Sequence, residues 1–176
     1  MNGRPDRWWV WVAEGFGVGR LRVAPGTWGS LLGVGWFLLL LVPGRAWVFA
    51  AGCAGAIGAA VWVCGRAERV LGRHDPGSVV LDEIVAVPLC FVPLLAGWGA
   101  FPGVAAWWGW APWWWLALGF GLFRVFDIAK PWPVGWLQRW PGGWGIVADD
   151  VAAACWVAVL MGLGIGFGWI EAGRAP

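Results

Sequence analysis

The residues able to do chemistry are concentrated in one stretch. Between Phe123 and Asp150 lie Arg124, Asp127, Lys130, Arg139, Asp149 and Asp150. Neither Ile84–Leu122 before this stretch nor Val151–Ile170 after it carries a charged side chain. Charges set between apolar blocks cost free energy unless they serve a purpose at a membrane surface. Five of the ten acidic residues form three groups, Asp82-Glu83, Asp127 and Asp149-Asp150, each abutting an end of an apolar run. The two tandem pairs are expected at helix starts, where the macrodipole favours anions. Capping alone would account for one carboxylate per site, and each site has two. Carboxylates converging on one face repel one another, and a divalent cation relieves the repulsion. Hard oxygen donors without a Cys or His cluster point to Mg²⁺. Because Mg²⁺ takes only one or two carboxylates and keeps several waters, some of the five acids are left to orient others or to act as base.

Cations accompany these acids. Arg124 and Asp127 are three residues apart and are neighbours if helical, with Lys130 at the end of that helix before Pro131. Two readings follow: a local ion-pair ladder, or a clamp in which acids hold a metal while Arg and Lys hold a phosphate. Thr27 and Ser30, with the N–H groups around Gly26 and Gly29, add candidate phosphate contacts at another helix start. Other phosphate chemistries drop out. With His74 as the sole histidine, a mechanism needing one His as nucleophile and another as acid is excluded within one chain. A thiol phosphatase needs Cys-x5-Arg, and Val70 stands at that spacing from Cys64. A Ser-His-Asp triad has only Ser30 and Ser78 to draw on. His74 is expected in a supporting loop.

The elements that position these groups are apolar. The 176 residues suffice for one domain, 1–176, and are 60% hydrophobic but only 12% charged, about half the usual soluble share of about 25%. An all-α integral membrane bundle of about four to five apolar helices is expected, with the motifs at helix ends on the cytoplasmic face. The spans are Leu31–Val42, too short to cross unless tilted or lengthened back toward Thr27; Ala46–Gly65; Ile84 to about Gly97, bent by Pro88 and Pro93; a helix to Phe123 that begins at Trp113 or as early as Val104; and Val151–Ile170. Residues 66–83 read as a polar connection. With the N-terminus inside, every Lys and Arg except Arg45 and Arg174 falls on the cytoplasmic side. Trp107, Trp108, Trp110, Trp113, Trp114 and Trp115 are expected at one interface. The cysteines Cys53, Cys64, Cys90 and Cys155 read as small hydrophobes. A net charge of +2 without a basic run argues against nucleic acid. Oligomeric state is not legible.

Four motifs in order resemble the phosphatidylglycerophosphatase A family. They are Pro25-Gly26-Thr27-x-Gly29-Ser30; His74-Asp75-x-Gly77-Ser78-x-x-x-Asp82-Glu83; Phe123-Arg124-x-x-Asp127-x-x-Lys130-Pro131-Trp132-Pro133; and Gly142-Gly143-x-Gly145-Ile146-x-x-Asp149-Asp150. The Arg20-Leu21-Arg22 approach to the first motif and the load of 20 Trp depart from the family's pattern. The resemblance implies a Mg²⁺-dependent phosphatase of the bacterial inner membrane that converts phosphatidylglycerol phosphate to phosphatidylglycerol. On that reading Asp82, Glu83, Asp149 and Asp150 hold the metal. Asp127 is ligand or base, and Arg124 and Lys130 neutralise the phosphoryl oxygens, with Thr27 and Ser30 as further phosphate contacts. The alternatives are a phosphatase for another membrane lipid phosphate, such as an isoprenoid, and a small helical transporter with interfacial carboxylates.

Overall fold

A computed structural model describes residues 7–96, 101–110 and 113–169, and every regular element among them is helical. Gly97, Arg4, Arg174 and the side chain of Trp110, which enter the reading above, lie outside the described residues. The helices are α1 (Arg7–Ala13), α2 (Pro25–Leu41), α3 (Ala46–Leu71), α4 (Leu81–Ala86), α5 (Val92–Ala96), α6 (Val104–Trp110), α7 (Trp114–Ala129), α8 (Val134–Leu137) and α9 (Gly143–Gly166). Short 3-10 turns occupy Val18–Arg20 and Val87–Phe91.

Several boundaries differ from the expected ones, and each difference has a local cause. The Pro-Gly-Thr motif is the first turn of α2 rather than a turn before it. Pro25 sits at the first helical position, where its missing N–H costs nothing. α3 runs on through Arg66, Glu68 and Arg69 and stops at Gly72, whose φ of +64° supplies the left-handed cap. Pro88 and Pro93 break the third run into α4, a 3-10 turn and α5, because neither ring nitrogen can donate to the ladder. The tryptophan cluster splits. Trp107 and Trp115 are fully buried, Trp107 lying 5.0 Å edge-on to Phe37 and 6.2 Å from Trp115, whereas Trp108, Trp113 and Trp114 are exposed. Their indoles serve the core before they serve any interface.

The largest correction concerns Asp149-Asp150. α9 starts at Gly143, so the pair lies in the second turn and its carboxylates do not cap the helix. The helix starts early because the backbones of α9 and α3 meet closely: a Cβ on Gly143 would strike the Val61 carbonyl, and one on Gly65 would lie 2.9 Å from the Gly143 nitrogen. Small residues that admit such an approach are the usual currency of tight helix pairs in apolar surroundings. Asp82 and Glu83, in contrast, do occupy the first turn of α4.

α9 is the central column, packed on α3, α7, α8 and the broken α4–α5 run. The starts of α2, α4 and α9 and the ends of α3 and α7 share one pole, as their cross-contacts require. The core falls into two apolar clusters, a larger one around Phe37, Phe91, Leu94, Trp107, Phe123 and Met161 and a second around Ala60, Cys64, Val85, Ile146 and Val147, where α1 and α3 meet α4 and α9. α3 and α9, at 26 and 24 residues, are long and apolar enough to cross a membrane. At 17 residues α2 spans only about 25 Å.

Replacing Gly143 by Val is expected to cost about 1–3 kcal/mol through overpacking against α3. Gly121→Ala, whose Cβ meets open space, should be neutral or slightly stabilising. Thermal unfolding of the two variants in detergent checks the pair. Equal melting temperatures would mean that α3 and α9 do not meet through these glycines.

Candidate active site

Gly26, Gly29 and Gly33 form a stripe along α2 that faces α4 and the turn after it. A Cβ on Gly26 would strike the Glu83 carboxylate. One on Gly29 would lie 2.7 Å from Val80 Cβ and 3.0 Å from Glu83 Oε2, and one on Gly33 2.7 Å from Val87 Cβ. The stripe therefore lets the Glu83 side chain lie against the α2 backbone. Ser30 Oγ is 2.8 Å from Glu83 Oε2 and 2.9 Å from the Gly26 carbonyl, and its single proton serves one acceptor at a time. Ser30 is fully buried and committed to Glu83, whereas Thr27 is half-buried in the first turn of the same helix.

The end of α7 supplies the cations. Arg124 Nη1 donates to Ser30 Oγ at 3.2 Å, and pairs with Glu83 Oε1 at 3.2 Å and Asp127 Oδ2 at 2.8 Å. Lys130 caps α7 in the left-handed region, with φ +43°, a conformation that costs free energy for a residue with a Cβ and that clusters at functional sites. This turn carries its ammonium to Asp149: Lys130 Nζ donates to Asp149 Oδ2 at 2.5 Å and stands 3.9 Å from Asp127 Oδ1. Burial works against the Lys130 charge, but the hydrogen bond and negative charge of Asp149 outweigh it and raise the pKa above the ordinary lysine value. Ser30, Glu83, Arg124, Asp127, Lys130 and Asp149 thus form one polar chain across α2, α4, α7 and α9.

Behind this chain lie Asp82 and Asp150, both buried. Among the described residues neither forms an ion pair, and Asp82 Oδ1 has no hydrogen-bond partner. Asp150 is within charge range of Asp82, Asp127, Asp149 and Glu83, so the three acidic groups of the sequence converge in space. Among the described residues no three His, Cys, Asp or Glu side chains stand as a ready-made metal-ligand group. Two buried carboxylates without a cation, one with an orphaned oxygen, have the donor chemistry that Mg²⁺ requires, since it completes its shell with water and ligand oxygens.

His74 stands outside this centre. It is exposed, with Nδ1 2.6 Å from Glu68 Oε1 and Nε2 3.2 Å from the Gln138 carbonyl. The Glu68 hydrogen bond raises its pKa. Gln138 Nε2 in turn donates to Asp75 Oδ2 at 2.5 Å. These bonds brace the end of α3 and the loop before α4 against the α8–α9 connection. Sequence reasoning missed Gln138 and Glu68 as braces; the only available signal was that Gln138 is the sole glutamine. Arg20, part of the departure noted before the first motif, pairs with the buried Glu14 at 2.6 Å.

The sequence pattern of the family described as Phosphatidylglycerophosphatase A matches residues 11–165. A phosphatidylglycerophosphatase A of Escherichia coli strain K12 is 33% identical over 147 residues, 82% of this chain and 76% of its own. One of Haemophilus influenzae is 35% identical over 153 residues, 85% and 84% of the two chains. A Bacteroides thetaiotaomicron protein provisionally named a phosphatidylinositol-3-phosphatase is 35% identical over 162 residues, 90% and 94%. No solved structure matches the chain.

Removing Ser30 Oγ by Ser30→Ala should cost about 1 kcal/mol, and Lys130→Ala about 1–3 kcal/mol because Asp149 loses its donor. Thr27→Ala should stay within about 0.5 kcal/mol. Unfolding of the purified variants in detergent measures all three. A Thr27→Ala loss equal to that of Ser30→Ala would remove the case for Ser30 as the holder of Glu83.

Proposed function

The chain belongs to the phosphatidylglycerophosphatase A family, and on that premise we propose that it hydrolyses the terminal phosphate of phosphatidylglycerol phosphate to give phosphatidylglycerol. The observation that carries this reading is the pole itself: two buried carboxylates, without an ion-pair partner among the described residues, beside a lysine and an arginine at one end of an apolar bundle. The bundle is read as a multi-pass protein of the bacterial inner membrane with this pole toward the cytoplasm. Two helices of sufficient length and apolarity support insertion. So do exposed tryptophans near both ends: Trp28, Trp132, Trp136, Trp140 and Trp144 near the polar pole, and Trp47, Trp108, Trp113 and Trp169 at the other. The cluster of Lys and Arg at the polar pole supports its orientation. A lipid phosphate at headgroup depth then meets the site while its acyl chains stay in the bilayer.

Lys130 and Arg124 take the phosphoryl oxygens. Each is already held by a carboxylate, so the substrate phosphate shares cations whose positions are set in advance, at little reorganisation cost. Asp127, between the two cations, is placed to orient a water and accept its proton. Asp82 and Asp150 would hold Mg²⁺, backed by Glu83 and Asp149, and the ion would supply charge neutralisation and a more acidic bound water. Ser30 keeps Glu83 in place, and the glycine stripe keeps α2 close enough for it to do so.

The Bacteroides relative favours a second reading, in which the same centre acts on a different lipid phosphate. Phosphate release from phosphatidylglycerol phosphate and from phosphatidylinositol 3-phosphate separates the two. The first should be the better substrate; the reverse order would establish the second reading. Asp82→Asn and Asp150→Asn should each lower turnover about 10²–10³-fold, as expected for loss of an electrostatic stabiliser of the transition state. Chelation should abolish turnover and added Mg²⁺ restore it. Turnover indifferent to chelator would refute the metal assignment, and release from neither lipid by folded protein would refute the phosphatase assignment.

A further inference from the structure

An apolar cavity lies outside the polar chain. It is an apolar groove of about 520 Å³ on the outer face of α9. Ile57 and Val61 of α3 form one wall, Pro133 and Leu137 roof its end at the polar pole, and Trp156 and Val159 close the far side. Its floor follows α9 from Trp144 to Val159, about 22 Å at the helical rise. That is enough to reach through one leaflet of a hydrocarbon core about 30 Å thick. Its volume is in the range of ligand sites, about 300–1,000 Å³.

One contact and two short sequence separations tie the groove to the polar chain. Pro133 follows Lys130 by three residues, across the Pro-Trp-Pro segment that leaves the end of α7. Trp156 stacks on Phe126 of α7, with ring centroids 6.1 Å apart and planes 10° apart, and the Phe126 carbonyl accepts the Lys130 N–H at 2.9 Å. Ala148, in the floor, is adjacent to Asp149, the partner of Lys130. The turn that carries Lys130 therefore borders the groove's end at Pro133, and the Phe126–Trp156 pair joins its helix to the groove wall. Small residues in the floor, Ala148 and Ala152, leave room that larger side chains would fill.

We propose that this groove seats one acyl chain of the lipid whose phosphate is held at Lys130. The inference rests on the lipid-phosphatase reading and adds to it a built place for the hydrocarbon part of the substrate. Seating a chain here fixes the headgroup laterally, so binding energy far from the phosphate serves orientation at the reacting centre.

Two measurements on the full chain in phosphatidylcholine nanodiscs test this. In the first, phosphatidylglycerol phosphate carrying a diazirine in one acyl chain is photolysed with the protein. Labelling should fall on the 144–159 segment and be competed by unlabelled phosphatidylglycerol phosphate. Equal labelling there by a diazirine phosphatidylcholine would overturn the proposal, showing an ordinary lipid-facing surface. So would efficient oxidative Cys155–Cys155 cross-linking between copies, showing that the groove is filled by a second chain. In the second, Ala152→Phe should lower kcat/KM about tenfold more for the long-chain substrate than for a water-soluble short-chain analogue. An equal change on both substrates would count against the groove. Selective labelling without phosphate release would defeat the phosphatase reading and leave the groove standing; release with non-selective labelling would do the opposite.

Discussion

The pairing of buried carboxylates with the last two turns of α7 is the constraint on which the rest depends. Removing an ion from water costs several kcal/mol even after relaxation. Glu83 and Asp149 recover part of that cost through Arg124 and Lys130, which come from a different helix. The arrangement holds only if the starts of α2 and α4, the second turn of α9 and the end of α7 lie at the same depth. Asp82 and Asp150 receive no such partner among the described residues, so their burial is left without a neutralising cation. The centre has an outer shell that is neutralised by protein and an inner pair that is left for a ligand to neutralise.

Close backbone approach makes this geometry attainable. Carboxylate side chains are short, so helices carrying them must nearly touch before the groups can interact. The α2 stripe brings Ser30 within hydrogen-bonding distance of Glu83, and the Gly65–Gly143 crossing brings α9 onto α3. Without Cβ atoms at these crossings, packing and site assembly are one event. Gly26 and Gly29, which read in sequence as candidate phosphate contacts, also serve in the fold as a helix-packing surface.

The distribution of polarity follows from the same economy of charge. Ionisable side chains gather at one pole, where the brace formed by Glu68, His74, Gln138 and Asp75 ties the end of α3 and the α3–α4 loop to the α8–α9 connection. The remaining faces expose Leu, Val and Trp. For the membrane-embedded phosphatase proposed above, the two regions divide the substrate between them: a charged pole for the phosphate and an apolar flank for the chain.

Much of this was open to reading from residue order. Uncharged runs announce apolar helices because no soluble surface can be made from them, and Pro88 and Pro93 mark a broken helix through a missing donor that no packing restores. The acidic groups, Arg124 and Lys130 were visible because charges beside such runs are costly. Helix starts were not visible: α9 begins eight residues before its uncharged run, and α2 begins at Pro25, because backbone contacts with α3 and α4 decide them. Nor could order alone assign partners. That Ser30 bonds Glu83, that Lys130 turns to Asp149, and that Trp107 and Trp115 belong to the core are consequences of distances between residues far apart in the chain, which only the assembled helices define.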